Sequence, residues 1–203
     1  MALANYTDLI ASLPNWTKRA DLASLYPDFV TLAEARIGRD VRVQAQIVTA
    51  TLTTTSGTRG VTLPTDFLEA QSVTVSSVSP IATLTAVVPE YLNRRYPDDY
   101  QAGQPVLYSI SGTSLLLGPT PDAAYDIALT YYARFDGLEA NSTNWLMTNH
   151  PGIYLSAVMA EASIYTMEDA GMWNAKYQGE VSALHQSDDE SKRSGSAMRV
   201  RNL

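Results

Sequence analysis

The chain has 203 residues, a hydrophobic fraction of 45 %, no cysteine, and 14 Lys and Arg against 21 Asp and Glu, a net charge of −7. The absence of cysteine excludes disulfides, thiolate metal sites and cysteine nucleophiles, and the acidic balance argues against a nucleic-acid-binding protein, which requires a basic surface. No apolar run reaches the ~20 residues that a membrane-spanning helix needs, so the composition is that of a globular protein with one large domain or two small ones.

The first 43 residues carry a helical pattern. A first helix in "NYTDLIASLPNW" is predicted to follow a cap at Asn5 or Thr7 and to end near Pro14. A second helix is predicted in "YPDFVTLAEARIGRDVRV", where apolar residues recur at three- and four-residue spacing. The expected buried face of this second helix consists of Phe29, Leu32, Ala33, Ile37 and Val41.

From residue 44 the period changes to that of strands. "QIVTATLTTT" is rich in β-branched residues and runs into "SGTRG", a signal for a hairpin or loop, and "SVTVSSV" alternates. Strands over 106–110 and 114–117 are predicted to pair across a turn at residues 111–113, and a long strand over 125–134 alternates Ile127, Leu129 and Tyr131. The stretch "VPEYLNRRYP", between "SVTVSSV" and the strand over 106–110, predicts one or two helical turns.

The stretch "NHPGIYLSAVMAEASIY" holds one of the chain's two histidines, His150, and one acid, Glu161. Asn149 is expected to be the helix N-cap and Pro151 to occupy the first turn. The helix is apolar all round, which predicts burial on most sides. His150 has no acid or nucleophile at a spacing that forms a recognisable motif, so we interpret it as the residue that marks a helix start.

A buried carboxylate is costly unless it is paired, so Glu161 is predicted to form an inter-helix ion pair with Arg36 or Arg39. The charged residues flanking the second helix are also candidates for contacts between subunits or helices. Together with Glu161, these candidate contact residues are Glu34, Arg36, Arg39, Asp40 and Arg42.

A last helix is predicted in "AGMWNAKYQGEVSALHQ", with Glu168 and Asp169 on its wet side and His185 near its C-terminal end. Its apolar stripe is expected to comprise Met172 or Trp173, Tyr177, Val181 and Leu184.

These patterns predict an α+β fold. Residues 1–43 and 140–190 form a discontinuous helical bundle, residues 44–139 form an inserted, mainly antiparallel β domain, and residues 191–203 form an extended C-terminal arm. The arm sequence "SKRSGSAMRVRNL" has four basic residues and no acid, which leaves ten basic and 21 acidic residues on the body, a net charge of −11. The arm could dock on a partner or remain a solvated tail.

Motifs for catalysis or cofactor binding are missing from the sequence, including G-x-S-x-G, H-E-x-x-H, G-x-G-x-x-G and the P-loop. Two histidines without cysteines give no metal-ligand spacing. We therefore predict no catalytic residue, no cofactor and no metal. The segment "YPDDY" pairs two acids, Asp98 and Asp99, with aromatic residues, as in a sugar contact. It supports an alternative hypothesis, a carbohydrate-binding or carbohydrate-cleaving β module.

Five blocks, in this order, resemble the head–tail adaptor (connector) proteins of tailed bacteriophages. The blocks are "YTDLIASLPNWTKRADL", "FVTLAEARIGRDVRV", "VTLPTDFLE", "YSISGTSLLLGPTPDAAYDIALTYYARF" and "NWLMTNHPGIYLSAVMAEASIY". The C-terminal "SGSAMRVR" belongs to the same resemblance, which spans nearly the whole chain.

The resemblance implies a structural virion protein in the neck between the capsid portal and the tail, assembled in the host cytoplasm. It implies a ring of this chain, with twelve copies as the expected number, that binds the portal protein and downstream tail or nozzle proteins. The resemblance also implies that genomic DNA passes through the channel of this ring without specific binding. The family's C-terminal extension reaches the portal, so a portal-docking arm at Met198, Arg199, Val200 and Arg201 is expected. The family has no catalytic residues to carry over.

Overall fold

The computed structural model of this chain describes residues 3–97 and 101–193, which fold into two units. One unit is Gln46–Arg134, and the other combines the described residues on either side of it. The helices are α1 (Tyr6–Thr17), α2 (Tyr26–Asp40), α3 (Pro89–Arg95), α4 (Leu138–Asn141), α5 (Trp145–Asn149), α6 (Pro151–Tyr165) and α7 (Gly171–Arg193). The strands are β1 (Ile47–Thr53), β2 (Gly60–Thr62), β3 (Phe67–Val75), β4 (Ala82–Thr83), β5 (Thr85–Ala86), β6 (Leu107–Ser111), β7 (Ser114–Gly118) and β8 (Asp126–Ala133).

Helix α6 is the centre of the helical unit. Ten of its 15 residues are buried, as the absence of a polar face predicts, and α1, α2, α5 and α7 pack against it. A fully buried residue such as Ile153 or Val158 stabilises the fold by about 1.5–3 kcal/mol. The helix therefore supplies much of the driving force for folding this unit.

Helix α1 begins where predicted and ends later. Asn5 is its N-cap, with Asn5 Oδ1 accepting from Asp8 N at 2.9 Å. The predicted end near Pro14 is wrong, because the helix runs to Thr17 with Pro14 inside it. A tertiary contact stabilises the last turn: the Trp16 ring packs edge-on against the Trp173 ring, with 6.0 Å between the ring centres. This contact offsets the hydrogen bond that a proline cannot donate.

The buried face of α2 differs from the predicted face at one position. Phe29, Ala33 and Ile37 are buried, but Leu32 is 53 % exposed and the prediction for it is wrong. Val30 is buried instead, at 2 % exposure. Both Leu32 and Val30 fit a three- or four-residue spacing from other apolar residues, and only the position of the packed neighbours selects between them.

The predicted cap at Asn149 is also wrong. Asn149 is the last residue of α5, and its side-chain Nδ2 donates to Trp145 O at 2.8 Å. The residue before α6 is His150, which makes no side-chain capping hydrogen bond. Pro151 occupies the first turn of α6, as predicted. The short helix α5, which the sequence analysis did not predict, displaces the cap because Asn149 is already helical.

Helix α7 is longer than the sequence pattern indicates. It continues to Arg193, so residues 191–193, predicted to begin the extended arm, are helical, and His185 lies eight residues before the end. Ion pairs spaced four residues apart support the extension, with Lys192 Nζ 2.7 Å from Asp188 Oδ2. Glu168 and Asp169, predicted on the wet side of this helix, precede it. In the apolar stripe, Met172 is 69 % exposed while Tyr177, Val181 and Leu184 are buried.

The β unit is a sandwich of two four-stranded sheets, ordered β1-β8-β3-β4 and β2-β7-β6-β5. Among the described residues, these strands all pair antiparallel except β5 with β6. The two sheets share one hydrophobic core that contains Val73, Leu117 and Ile127. Together with the helices, these sheets confirm the predicted α+β class. The predicted alternation of β8 is confirmed, since Ile127, Leu129 and Tyr131 are all buried.

Turn chemistry identifies one hairpin in this unit. Strands β6 and β7 pair from Leu107↔Gly118 to Ser111↔Ser114, and Gly112 has φ +59° in the turn, where glycine carries no steric penalty. In contrast, "SGTRG" is a loop and not a hairpin turn, because β1 and β2 belong to different sheets. The predicted helical turns in "VPEYLNRRYP" are confirmed as α3.

Candidate functional site

Arg36 joins three helices through one guanidinium group. Its Nη1 donates to Asn174 Oδ1 of α7 at 2.8 Å and lies 4.0 Å from Glu161 Oε1 of α6. Its Nε lies 3.9 Å from Asp40 Oδ2 in its own helix. The guanidinium carbon is 4.2 Å from the centre of the Tyr177 ring, a cation–π distance. Of the two arginines predicted as partners of Glu161, the structure brings Arg36 to it.

Asp40 and Tyr177 extend this cluster. The Tyr177 hydroxyl donates to Asp40 Oδ2 at 2.9 Å, and His185 Nε2 lies 3.1 Å from the Asp40 carbonyl oxygen. Burial raises the pKa of Tyr177 well above its usual value, and the hydrogen bond to Asp40 raises it further. Tyr177 therefore remains a proton donor at neutral pH. The helical spacing of Tyr177 predicted only its place in an apolar stripe and gave no signal of this polar role.

Glu34 connects α2 to the start of α4. Its Oε1 accepts from Leu138 N at 2.8 Å, and a Cβ at Gly137 would lie 3.3 Å from its Oε2. Burial raises the pKa of Glu34, the Leu138 N–H opposes this by favouring the charged form, and nearby Glu139 raises it slightly more. The contact satisfies one of the free N–H groups that every helix start presents.

The two remaining candidates on α2 behave differently. Arg42 Nη1 donates to the carbonyl oxygens of Gly38 at 2.8 Å and Val41 at 2.6 Å, and so caps the end of the helix. Arg39 is exposed and makes no hydrogen bond or ion pair within the described part of the chain. The charged flank of α2 is therefore used mainly inside its own unit.

His150, which precedes α6, lines a cavity together with Glu180 of α7. The cavity has a volume of about 310 Å³ and lies between the start of α6 and the middle of α7, where Gly152 also lines it. A Cβ at Gly152 would lie 2.5 Å from Glu180 Oε2, so the absence of a side chain gives this carboxylate its space. The His150 ring is also 5.5 Å from the Trp145 ring. The sequence signal for this approach was the glycine at the second position of α6, a helix otherwise rich in large apolar residues.

Exposed apolar side chains concentrate at the turn between α6 and α7. Ile164 and Tyr165 are 58 % and 56 % exposed, and Met167 and Met172 are 95 % and 69 % exposed. Met167 has φ +58°, an uncommon conformation for a residue with a side chain. Large exposed apolar groups of this kind are typical of interaction sites. We call the segment from Ile164 to Met172 the apolar turn.

Several predicted site residues lie outside the described residues: the arm residues Met198, Arg199, Val200 and Arg201, and Asp98 and Asp99 of "YPDDY". Within 3–97 and 101–193, no group of three His, Cys, Asp or Glu side chains could hold a metal ion. In the same residues, no helix is long and apolar enough to span a membrane.

A family model described as "SU10 adaptor protein" matches residues 4–201, which is 198 of the 203 residues. None of the curated proteins matches the chain.

Proposed function

Because this chain belongs to the SU10 adaptor protein family, we propose that it is a head–tail adaptor that forms a ring of twelve copies between the capsid portal and the tail. The match over residues 4–201 carries this proposal, and it confirms the resemblance to phage adaptor proteins that the five sequence blocks predict. The protein is a structural component of a bacteriophage. Its position in the neck and its assembly in the host cytoplasm are parts of the proposal.

The helical unit supports a structural role. Its charged residues hold helices together: Arg36 links α2, α6 and α7, and Glu34 secures the start of α4. A subunit of a ring needs two different side faces that fit each other. The apolar turn, in which Met167 is 95 % exposed, offers one such face to a neighbouring copy. We propose no catalytic activity, because these charged groups are engaged in packing.

The charge distribution supports a conduit for DNA. The chain without its last 13 residues carries a net charge of −11, and acidic side chains facing a channel would repel phosphate groups rather than retain the genome. Genomic DNA would then pass through the ring without specific binding.

The basic C-terminal segment is the proposed contact with the portal. Helix α7 leads directly into it, and Arg199 and Arg201 alternate with Met198 and Val200 in the sequence. A segment that orders when it docks is a common way to bind a partner. Downstream tail or nozzle proteins would bind elsewhere on the subunit.

Negative-stain imaging of the protein mixed with its portal protein tests this function. We expect free protein to be monomeric or weakly associated, and the mixture to show a ring stacked coaxially on the portal, with the subunit number read from the image. A variant that lacks residues 194–203 should leave the portals bare. Bare portals with the full-length chain would refute the adaptor function, whereas normal docking of the truncated chain would refute only the role of the arm.

A further inference from the structure

Along one side of the β sandwich, a segment of the chain covers the gap between the two sheets, but only over part of that side. The segment around Leu84 crosses from one sheet to the other: β4 pairs with the end of β3 at Thr74 and Val75, and β5 pairs in parallel with the start of β6. Between them, Leu84 N donates to Val73 O at 2.9 Å. The Leu84 side chain is 4 % exposed and belongs to the shared core. An extended segment therefore bonds to both sheets and fills the space between them.

The rest of this side is open. Before Val73, β3 pairs with β8 on one edge, and among the described residues no strand pairs with its other edge. On the opposite sheet, the last bond to this side of β6 within the described part of the chain is from Val87 N to Tyr108 O, at 2.9 Å, and the chain then continues into α3. The unpaired edges of β3 and β6 are free to accept another strand.

A groove of about 400 Å³ lies between these two free edges. Its walls are the start of β3 from Phe67 to Ala70, the segment from Ala86 to Pro89, and the middle of β6. The lining is mainly apolar and contains one charged residue, Glu69. Val88, on the wall, is 61 % exposed.

We propose that this groove, on the β unit, binds an extended segment of another virion protein. The segment pairs with the free edge of β3 and places a branched apolar side chain between the sheets, as Leu84 does next to it. A Lys or Arg on the segment lies beside Glu69. A helix could not bond to these edges, since its own N–H and C=O groups are already paired, whereas strand addition uses them directly.

The assignment of the partner to a virion protein rests on the proposed function, but the capacity to accept a strand does not. The chain's own crossing segment, with the sequence "ATLTA", shows the chemistry that fits: an apolar residue points inward and small hydroxyl residues flank it. The expected partner sequence alternates in the same way.

An array of overlapping peptides of about ten residues, the length of a long strand, tests the proposal. The peptides cover the other virion proteins of the same phage and this chain, and the labelled full-length protein is the probe. The strongest binders are then measured in solution by fluorescence anisotropy. We expect them to alternate apolar and polar residues and to carry a basic residue.

Three variants identify the groove as the binding site. Val88→Asp and Glu69→Lys should each weaken binding about tenfold, or about 1.4 kcal/mol. Ile81→Asp is the matched control, because Ile81 is 66 % exposed in the same unit and does not line the groove. Val88 directly precedes α3, where Asp is a favoured cap, so loss of binding would not reflect unfolding.

Three results from the array would overturn the proposal: no peptide binds, only peptides with a helical apolar pattern bind, or peptides of this chain bind best and so indicate a second copy. Equal binding of the best peptide by Val88→Asp and by Ile81→Asp would overturn it as well. Failure of the proposed function looks different. A strand-like peptide would bind the groove while imaging showed no ring on the portal.

Discussion

Replacing Arg36 by alanine should destabilise the helical unit more than any other single change on the charged flank of α2. The substitution removes the donor to Asn174, the cation above the Tyr177 ring and the two ion-pair contacts at 3.9 and 4.0 Å. It also leaves Glu161 without a cation, although that side chain is only 21 % exposed.

The magnitude follows from these contacts. A hydrogen bond to a charged group contributes about 1.5–3 kcal/mol, and a partly exposed cation–π contact about 0.5–1 kcal/mol. The two ion pairs are long and partly solvated, so together they add about 0.5 kcal/mol. Because neighbouring contacts are not additive, we expect the free energy of unfolding to fall by about 2–4 kcal/mol.

Urea unfolding followed by tryptophan fluorescence measures this change. The chain's three tryptophans, Trp16, Trp145 and Trp173, all lie in the helical unit, so the signal reports on that unit. Arg39→Ala is the matched control: it removes the same side chain from the same helix, but Arg39 is exposed and unpaired in the described residues, so its effect should stay within about 0.5 kcal/mol. Equal effects of the two substitutions would refute the reasoning that Arg36 joins the helices.

Three further predictions concern single contacts. Burial raises the pKa of Glu34, so the folded protein binds a proton at this carboxylate more readily than the unfolded chain, and the free energy of unfolding rises as pH falls. Wild type should therefore gain stability relative to Glu34→Gln between pH 7 and pH 5 in urea unfolding. A difference between the two proteins that stays constant with pH would contradict this. Gly118→Ala should lower the stability of the β unit by about 1–3 kcal/mol, because a Cβ there would lie 2.6 Å from the Leu92 side chain. Far-UV circular dichroism would follow this unfolding, with Gly60→Ala as the tolerated control, since its nearest atom is 3.7 Å away. Tyr177→Phe should cost about 1.5–3 kcal/mol in tryptophan-monitored unfolding by deleting the hydrogen bond to a carboxylate, and an unchanged midpoint would refute that role.

The helix boundaries show where local sequence signals compete. Asn149 before Pro151 has the composition of an N-cap, yet the chain is already helical there because Asn144 caps α5 by accepting from Met147 N at 2.8 Å. Pro14 is a stop signal by composition, yet the ring of Trp16 packs on Trp173 and the helix continues. In both places a residue far along the chain, or an additional short helix, changes the balance between two acceptable local structures.

The candidate site likewise contains one contact that the sequence predicted and others that only the packing of distant segments decided. The position of Glu161 in an apolar helix was enough to predict a cationic partner, and Arg36 was one of the two arginines named. The sequence offered no signal that Asn174 and Tyr177 would bond to the same cluster, because α2 and α7 are more than 130 positions apart along the chain. The approach of Glu180 to Gly152 had one sequence signal, the glycine in the first turn of α6, but that signal did not indicate which side chain would occupy the space.

By itself, the sequence determined the change from helical to strand-like period, the buried character of α6, the hairpin of β6 and β7, and the family. These features depend on backbone geometry and on residues close together in the chain, or on order along the whole chain. The tertiary structure alone decided which face of α2 is covered, which arginine meets Glu161, and that the edge of β3 before Val73 has no partner strand among the described residues. Each of these depends on contacts between distant segments, whose energies enter only when the segments are packed against each other.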